Sequence, residues 1–219
     1  MKIALIGVTG FVGQHVLREA LERGHTVTGF ARNLDKIPDQ HNLHKVTLDL
    51  LGDSLATGLA LSGHDVVVHA YNPKRQSKDP DIFEQHVRGH KALLAAMPFS
   101  KVKRLLCVGG AASLKLPGGV EFLDSDRFPE QFNDFKPSIR GTRELYYLLK
   151  DHPELDWVFL APSSVLFDGT RTGSYRVGTD YLLFNEAGVS TISLQDYAVA
   201  MLDELEKPVH HQQRFTVGY

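Results

Sequence analysis

Residues 2–13 read KIALIGVTGFVG, an apolar run that passes directly into three glycines, Gly7, Gly10 and Gly13. A short continuous apolar run of this kind predicts a β-strand that is buried on both faces. Apolar residues then follow at helical spacing from Phe11 to Leu21, which predicts an amphipathic helix. The three glycines therefore lie in the turn between a buried strand and the helix that follows it.

The same order of strand and helix repeats along the first two thirds of the chain. Alternation of this type predicts a parallel sheet with helices on both faces, which is the Rossmann-type doubly wound α/β fold with the first strand at its centre. The predicted strands cover residues 3–6, 26–30, 45–48, 66–68, 105–108 and 157–160, and the predicted helices include residues 53–61, 81–97 and 137–150.

The last part of the chain is less regular, and we expect it to form a small substrate-side region within one domain, residues 1–219. One part lies within residues 114–136, which are either a candidate lid or substrate loop or a disordered loop. The other part lies within residues 162–192. Turn signals within Gly169–Ser190 predict a hairpin. Ser193 to Asp196 resembles a capping box that opens a final helix, and residues 214–219 predict a last edge strand.

Composition excludes several classes of protein. The chain has 219 residues, of which 42% are hydrophobic and 23% charged, so it is neither disordered nor fibrous. A formal net charge of -2 gives no basic field for nucleic acid. The single cysteine, Cys107, excludes disulfide frameworks and thiolate zinc sites. No apolar run is long enough to span a membrane, and the start at Met1 leaves no room for a signal peptide, so we expect a cytoplasmic protein.

The glycine turn is the strongest chemical signal in the sequence. Glycines at this place let the backbone approach a pyrophosphate, while the helix N-terminus offers free N–H groups to the anion. The alternative is a tight strand-to-helix turn that binds nothing. We expect a dinucleotide whose pyrophosphate is held by residues Gly7, Thr9, Gly10, Phe11, Val12 and Gly13.

The end of the second strand indicates which dinucleotide is preferred. An acidic residue there would bind a ribose 2'-hydroxyl, whereas the chain has Arg32 and Asn33, with Lys36 nearby. A guanidinium suits a 2'-phosphate, so the sequence favours NADP(H) over NAD(H), unless Arg32 is an ordinary solvated arginine. Other predicted contacts are Asp49 and Leu50 at the adenine pocket, where Asp49 could equally be a turn residue, and Ala70, Tyr71 and Asn72 beside the ribose.

Together these motifs resemble those of an atypical short-chain dehydrogenase/reductase, and more narrowly the NADH-flavin reductase group of NAD(P)-binding proteins. The layout is also similar to NmrA-like sensors and biliverdin-IXβ reductases. The resemblance covers almost the whole chain and is carried by the glycine turn, Arg32-Asn33, Asp49-Leu50, Val108 to Ser113, Arg171 to Gly173, Ile192 to Ala198 and Arg214 to Val217. It implies cofactor contacts from Val108, Gly109 and Gly110, and from Pro162 and Ser163 beside the nicotinamide.

The resemblance does not supply the usual catalytic pair of these enzymes, a tyrosine and a lysine four residues later. Tyr146 and Lys150 have that spacing but fall too far along their helix, and the family positions are occupied by Lys136 and Arg140. Gly110 stands where related reductases have serine. The nearest hydroxyl, on Ser113, is therefore the one catalytic candidate, and it could equally be an ordinary loop serine.

Without a proton relay, the sequence favours hydride transfer onto a flavin or similar planar acceptor. Pro162 to Ser164, with Tyr71, Phe122 and Phe128, could form one wall of its pocket, although such aromatics more often fill the core. The alternative is a sensor that binds NADP(H) and turns nothing over; a nucleotide-sugar epimerase or dehydratase fits less well. The predicted partner is a small planar acceptor, with no nucleic acid, membrane or metal. An oligomer is possible but not indicated.

Several other side chains could be metal ligands or reactive groups, but structural roles explain most of them more simply. His86 and His90 lie one helical turn apart, and His210 and His211 are adjacent, but neither pair has the remaining ligands of a metal site, so we expect solvated histidines. His69 ends an apolar strand and is expected to be an interior histidine. Cys107 is expected to be an inert buried thiol, and Arg171, Tyr175 and Arg176 to meet either an anionic substrate tail or a dimer partner.

Overall fold

The computed structural model describes residues 1–219. The strands are β1 Lys2–Ile6, β2 Thr26–Ala31, β3 Leu43–Thr47, β4 Val66–His69, β5 Arg104–Val108, β6 Asp156–Pro162, β7 Val165–Phe167, β8 Arg176–Gly178, β9 Thr191–Ser193 and β10 Gln213–Gly218. The α-helices are α1 Gly13–Glu22, α2 Ser54–Leu61, α3 Ile82–Ser100, α4 Lys136–Leu149 and α5 Leu194–Glu206. Short 3₁₀ turns occupy Ala111–Ser113, Phe122–Asp124 and Glu130–Phe135.

Eight strands form one sheet in the order β3-β2-β1-β4-β5-β6-β10-β8, and the small β7-β9 pair lies apart from it. All pairings within the large sheet are parallel except that of β8 with β10. Helices α2, α3 and α4 pack on one face, and α1 and α5 pack on the other. This is the Rossmann-type α/β fold that the sequence predicts, with β1 inside the sheet between β2 and β4.

The strands are continuous apolar runs because helices cover both faces of the sheet. Every residue of β4 is buried, with Val67 contributing to the core on one face and Val66 and Val68 to the core on the other. No helix of the protein is long and apolar enough to cross a membrane.

Two sequence predictions for the last part of the chain are wrong. Residues 169–190 do not form a hairpin, because β8 pairs antiparallel with β10 and β7 pairs in parallel with β9. Strand β10 is not at the edge, since it lies between β6 and β8, with Phe215 and Val217 buried. The physical reason is that β8 forms its backbone hydrogen bonds with β10, which is distant in the sequence, and not with another part of residues 169–190.

The capping prediction for α5 is confirmed at Ser193, whose hydroxyl accepts a hydrogen bond from the N–H of Asp196 at 3.0 Å. The reciprocal half of a capping box is missing, because the Asp196 carboxylate accepts other donors. These are the N–H groups of Thr172 and Gly173, each at 2.8 Å, and the Tyr219 hydroxyl at 2.6 Å. Asp196 thereby fixes the preceding connection to the start of α5.

One sequence alternative placed Arg171 at a site for an anionic substrate tail. The structure instead pairs Arg171 within the protein. Its guanidinium donates two hydrogen bonds to the Glu19 carboxylate, at 2.7 and 2.8 Å, and Arg23 donates a third at 2.7 Å. Hydrogen bonding from Arg171 lowers the pKa of Glu19, although burial opposes the shift. Tyr175 likewise donates to the Asp203 carboxylate at 2.5 Å, so both side chains hold this connection against α1 and α5.

Residues 114–136 combine buried apolar side chains with exposed residues, and residues 116–127 line a shallow pocket of their own. Phe122 and Phe128 are buried in the core on the α4 face, with ring centroids 5.6 Å apart, so they do not form a wall of an open pocket. Arg143 of α4 ties this segment down by donating to the carboxylates of Glu121, at 2.8 Å, and Asp124, at 2.5 Å. Aromatic core filling accounts for Phe122 and Phe128.

Candidate functional site

A groove of about 110 Å³ opens at the carboxyl ends of β1, β2, β3 and β4. Ligands of open α/β sheets lie at this edge of the sheet. Of the sequence-predicted residues it brings together nine: Gly7, Thr9, Gly10, Arg32, Asp49, Leu50, Ala70, Tyr71 and Asn72. The remainder of the lining is Ile6, Phe30, Ala31, Leu48 and Leu51.

Two glycines of the turn are required by close backbone packing. A Cβ at Gly7 would lie 2.4 Å from the carbonyl oxygen of Ala70, and the φ of Gly7 is +80°. A Cβ at Gly13 would lie 2.2 Å from the carbonyl oxygen of Gly7. Gly10 is less constrained by its neighbours, since its Cβ would lie 3.1 Å from the same oxygen, and it lines the groove. Gly10 is therefore the glycine whose side-chain absence opens the groove.

The start of α1 presents unused hydrogen-bond donors beside this turn. The N–H groups of Phe11, Val12 and Gly13 have no acceptor in the protein, and no side chain caps the helix at Val12. Neighbouring donors are occupied, because the Gly10 N–H bonds to the Gly7 carbonyl at 2.9 Å. Free N–H groups at the positive end of a helix form a binding site for an anion such as a pyrophosphate.

The far end of the groove is apolar at its sides and basic at its mouth. Leu48, Leu50 and Phe30 supply the apolar surface suited to a purine base. Arg32 is exposed at the mouth and makes no hydrogen bond or ion pair within the protein. Asp49 accepts a hydrogen bond from the Leu51 N–H at 3.0 Å, so it both shapes a turn and lines the groove.

Asn33 is not part of the groove. Its carboxamide oxygen accepts a hydrogen bond from the Asp35 N–H at 2.9 Å and closes the turn after β2. The apolar lining residues that the sequence analysis missed, such as Phe30 and Leu48, belong to strand ends. Burial patterns could have found them only once the sheet edge was known.

Tyr71 forms one side of the groove and is fixed from behind by the protein interior. Its ring lies parallel to that of His69, with centroids 6.1 Å apart and an interplanar angle of 5°. A Cβ at Gly89 would lie 2.1 Å from Tyr71 Cε1, so α3 needs glycine there to admit the ring. Burial raises the pKa of the Tyr71 phenol, which is therefore a neutral surface for a ligand at physiological pH.

Behind Tyr71 lies a buried histidine cluster formed by His69, His86 and His90. His69 Nε2 lies 3.0 Å from His90 Nδ1, whose other ring nitrogen lies 3.2 Å from the Gly141 carbonyl oxygen. His86 Nε2 lies 3.1 Å from the Ser138 hydroxyl. His69 is interior, as the sequence predicts, but the prediction that His86 and His90 are solvated is wrong, because α4 covers them.

Burial keeps this histidine cluster uncharged. It lowers the pKa of His69 to about 3 and that of His86 to about 4, and it places the pKa of His90 well below the ordinary value. No group of three or more histidine, cysteine, aspartate or glutamate side chains has an arrangement suited to a metal ion. Burial also raises the pKa of the Cys107 thiol, which keeps it protonated.

The predicted contacts at the ends of β5 and β6 do not line the groove. A Cβ at Gly109 would lie 2.4 Å from Phe159 Cε1, so this glycine serves strand packing. Ser113 is buried and its hydroxyl donates to the Gly110 carbonyl oxygen at 2.9 Å, which gives it no path to a ligand in the groove. Ser163 is buried as well, and its hydroxyl donates to the Val217 carbonyl oxygen at 3.0 Å. Val108 and Pro162 are strand residues beside them.

Tyr146 and Lys150 lie on the opposite face of the sheet from α1. The Tyr146 ring packs against Phe159, with centroids 5.5 Å apart, and Lys150 Nζ lies 4.3 Å from the ring centroid. Arg214 lies over the same ring at 4.3 Å. Tyr146 is therefore held in an aromatic and cationic environment and does not line the groove.

Comparison with known proteins agrees with this geometry. A family model described as NAD(P)H-binding matches residues 7–205, from the glycine turn to the end of α5. The chain belongs to this NAD(P)H-binding family. The observations that precede it, a glycine turn with free donors at the carboxyl edge of a Rossmann-type sheet, are those that NAD(P)H-binding requires.

Three relatives of this NAD(P)H-binding protein match it over nearly their full length. YwnB of Bacillus subtilis, a protein whose own function is uncharacterised, is 36% identical over 99% of this chain and 98% of its own. A candidate epimerase from Bacteroides thetaiotaomicron is 38% identical, covers 100% and 96% of the two chains, and has a TM-score of 0.90. A candidate NADH-flavin reductase from Streptococcus pneumoniae is 31% identical, covers 100% and 99%, and has a TM-score of 0.85.

Proposed function

We propose that the protein is an NADPH-preferring reductase that passes hydride to a flavin or a similar planar acceptor without a tyrosine–lysine relay. The observation that carries the proposal is the groove itself. Beside Gly10, which lines the groove, the next three residues, Phe11 to Gly13, have free N–H donors, and the groove itself carries the unpaired guanidinium of Arg32. These two features match the pyrophosphate and the 2'-phosphate of NADPH.

The residues present fit such a cofactor. Gly10 leaves the groove open where a side chain would fill it, and Tyr71, held by the buried histidine cluster, offers a rigid neutral surface. When bound, a reduced nicotinamide supplies hydride. The protein's part is to bind, orient and exclude water, since the positions of the family's tyrosine and lysine are occupied by Lys136 and Arg140.

A flavin suits a site without an acid–base pair, because its ring accepts hydride directly and takes a proton from water. One further observation supports this choice. The Ser113 hydroxyl donates its hydrogen bond to the Gly110 carbonyl oxygen, so it is not available to donate a proton to an acceptor. The name of the Streptococcus pneumoniae relative supports the same reaction.

The deciding experiment has two steps. Purified protein is titrated with NADPH and NADH separately by calorimetry, and FMN, FAD or riboflavin is then added to the tighter complex while the absorbance of the reduced nicotinamide is followed. We expect tight NADPH binding and multiple turnovers above a blank without enzyme. Binding without turnover would replace the reductase with an NADP(H) sensor, and absence of binding would refute both.

The relative from Bacteroides thetaiotaomicron is named as a candidate epimerase, and this function makes a different prediction. An epimerase regenerates its nicotinamide, so a nucleotide sugar would be converted with no net change in reduced cofactor. The turnover assay with a flavin therefore separates the two reactions directly.

Replacing Arg32 by aspartate should shift the preference from NADPH toward NADH by about 10- to 100-fold, the range of one charge-assisted hydrogen bond. The cause is loss of a cation that has no partner of its own in the protein. The two dissociation constants are measured by calorimetry on the same variant. Arg18→Asp, an equal charge change on the solvent side of α1, should leave their ratio unchanged. An unaltered ratio in Arg32→Asp would remove Arg32 from the 2'-phosphate site.

Replacing Tyr146 by phenylalanine should leave kcat within about twofold of the wild-type value. The substitution keeps the ring that packs on Phe159 and removes only a hydroxyl that lies outside the groove. Steady-state flavin reduction measures the effect, and thermal unfolding confirms that the variant is folded. A loss of kcat of a hundredfold or more would mean that Tyr146 of α4 and Lys150, just after the helix, act as the relay after all.

A further inference from the structure

Residues 72–81, within the loop between β4 and α3, cross from the glycine turn to the segment that precedes α4. We call these residues the strap. At one end the guanidinium carbon of Arg75 lies 3.8 Å from the centroid of the Phe11 ring. Further along, Lys78 Nζ lies 2.7 Å from a carboxylate oxygen of Asp134, and both side chains are about two-thirds exposed. Both attachments are weak surface contacts, whereas Ser77 between them is buried, so the backbone of the strap is anchored and the exposed Arg75 side chain is the part that can turn.

Arg75 differs from Lys78 in having no anionic partner. Its side chain is exposed and makes no hydrogen bond or salt bridge within the protein. The nearest acid along the strap is occupied, because Asp79 accepts hydrogen bonds from the Asp81 N–H at 3.0 Å and from the Gln85 carboxamide at 3.0 Å. The strap thus brings an uncompensated guanidinium to the glycine turn.

The ring under Arg75 belongs to a residue that also offers one of the three free backbone donors. Phe11 N–H is unpaired, as are the N–H groups of Val12 and Gly13. An anion bound at these donors would therefore lie next to the residue that Arg75 already contacts. A guanidinium pairs with a phosphate through two parallel N–H donors, an interaction stronger than its contact with an exposed aromatic face.

We infer that Arg75 is a phosphate-binding residue, whose side chain turns from the Phe11 ring to the pyrophosphate of a dinucleotide held at the glycine turn. This inference rests on the proposed function, because it assigns a second partner to the same cofactor. Arg75 would act on NADPH and NADH alike, whereas Arg32 distinguishes them.

The test compares Arg75→Gln with Arg18→Gln, an equal charge loss at an exposed position of α1. Dissociation constants are measured by calorimetry for NADPH, NADH, ADP and adenosine. In Arg75→Gln we expect about tenfold weaker binding of the three ligands that carry a diphosphate and no change for adenosine. Arg18→Gln should remain within twofold of wild type for all four. Equal weakening of adenosine and ADP would show a merely structural role and overturn the inference.

The phosphate of a flavin acceptor is a second source of the same chemistry. If Arg75 binds that phosphate instead, Arg75→Gln raises the KM for FMN but not for riboflavin, and ADP binding is unchanged. That result would also overturn the assignment to the dinucleotide. The proposed function fails separately, when wild-type protein binds no dinucleotide, whereas the inference alone fails when wild type binds and Arg75→Gln binds equally well.

Discussion

Replacing Gly10 by valine should weaken NADPH binding by at least about a hundredfold while the protein stays folded. Gly10 lines the groove, and its Cβ would already lie 3.1 Å from the Gly7 carbonyl oxygen. The two γ-methyl groups of valine would take up part of the groove that Gly10 lines, at the residue that precedes the free N–H groups of Phe11 and Val12. A pyrophosphate cannot approach these donors if carbon atoms occupy that space. Calorimetric titration with NADPH measures the loss.

Gly10→Ala separates blocked binding from lost folding. A single methyl group fills less of the groove, so the alanine variant should bind NADPH with an affinity between those of wild type and valine. Unfolding of both variants in urea, without ligand, reports whether the turn itself has been damaged. If the folded valine variant binds NADPH as tightly as wild type, the cofactor does not lie at the glycine turn.

Acidification should destabilise the protein steeply because of the buried histidine cluster. The folded pKa of His69 is about 3 and that of His86 about 4, both below the unfolded value near 6.5, so the unfolded chain binds more protons. The stabilising contribution is complete above about pH 6.5 and is lost as the pH falls toward 4. Each histidine that remains neutral contributes a slope of roughly 1.4 kcal/mol per pH unit, and three, with His90, roughly 4.

The slope is measured as the free energy of unfolding in urea at a series of pH values between 7 and 4. Replacing His69 by leucine should reduce the slope by about a third, because one proton-binding group is lost from the unfolded state. His41→Gln, which changes an exposed histidine, should leave the slope unaltered. A slope that does not differ between His69→Leu and His41→Gln would mean that the cluster is not responsible for the acid sensitivity.

Local patterns predict most of the fold and nine of the fourteen residues that line the groove. The apolar run before Gly7 has one reasonable interpretation, a strand covered on both faces, and the structure confirms it at β1. Gly7 and Gly13 could be interpreted from spacing alone, since each stands where a Cβ would meet backbone. In these cases the residues that decide the structure are close together in the sequence.

The errors arise where contacts between residues distant in the sequence determine burial or strand pairing. His86 was expected to be solvated, but it is covered by α4, a helix far along the sequence. Its Nε2 atom lies within hydrogen-bonding distance of the hydroxyl of Ser138, which is 52 residues later. The strand at 176–178 pairs with β10, a partner that no local pattern indicates. Arg75 belongs to no sequence motif, and only its position over the Phe11 ring indicates a role. Tertiary packing determines all three.

The interior position of β10 also governs the order in which the chain can assemble. During synthesis, β6 is made well before β10, and Gln213 pairs with Val158. Until Gln213–Gly218 emerge from the ribosome, β6 has an unpaired edge and β8 has no partner in the sheet. Unpaired strand edges template intermolecular pairing, so a nascent chain paused before residue 213 is exposed to aggregation. We expect chaperone dependence to be greatest at this stage of translation.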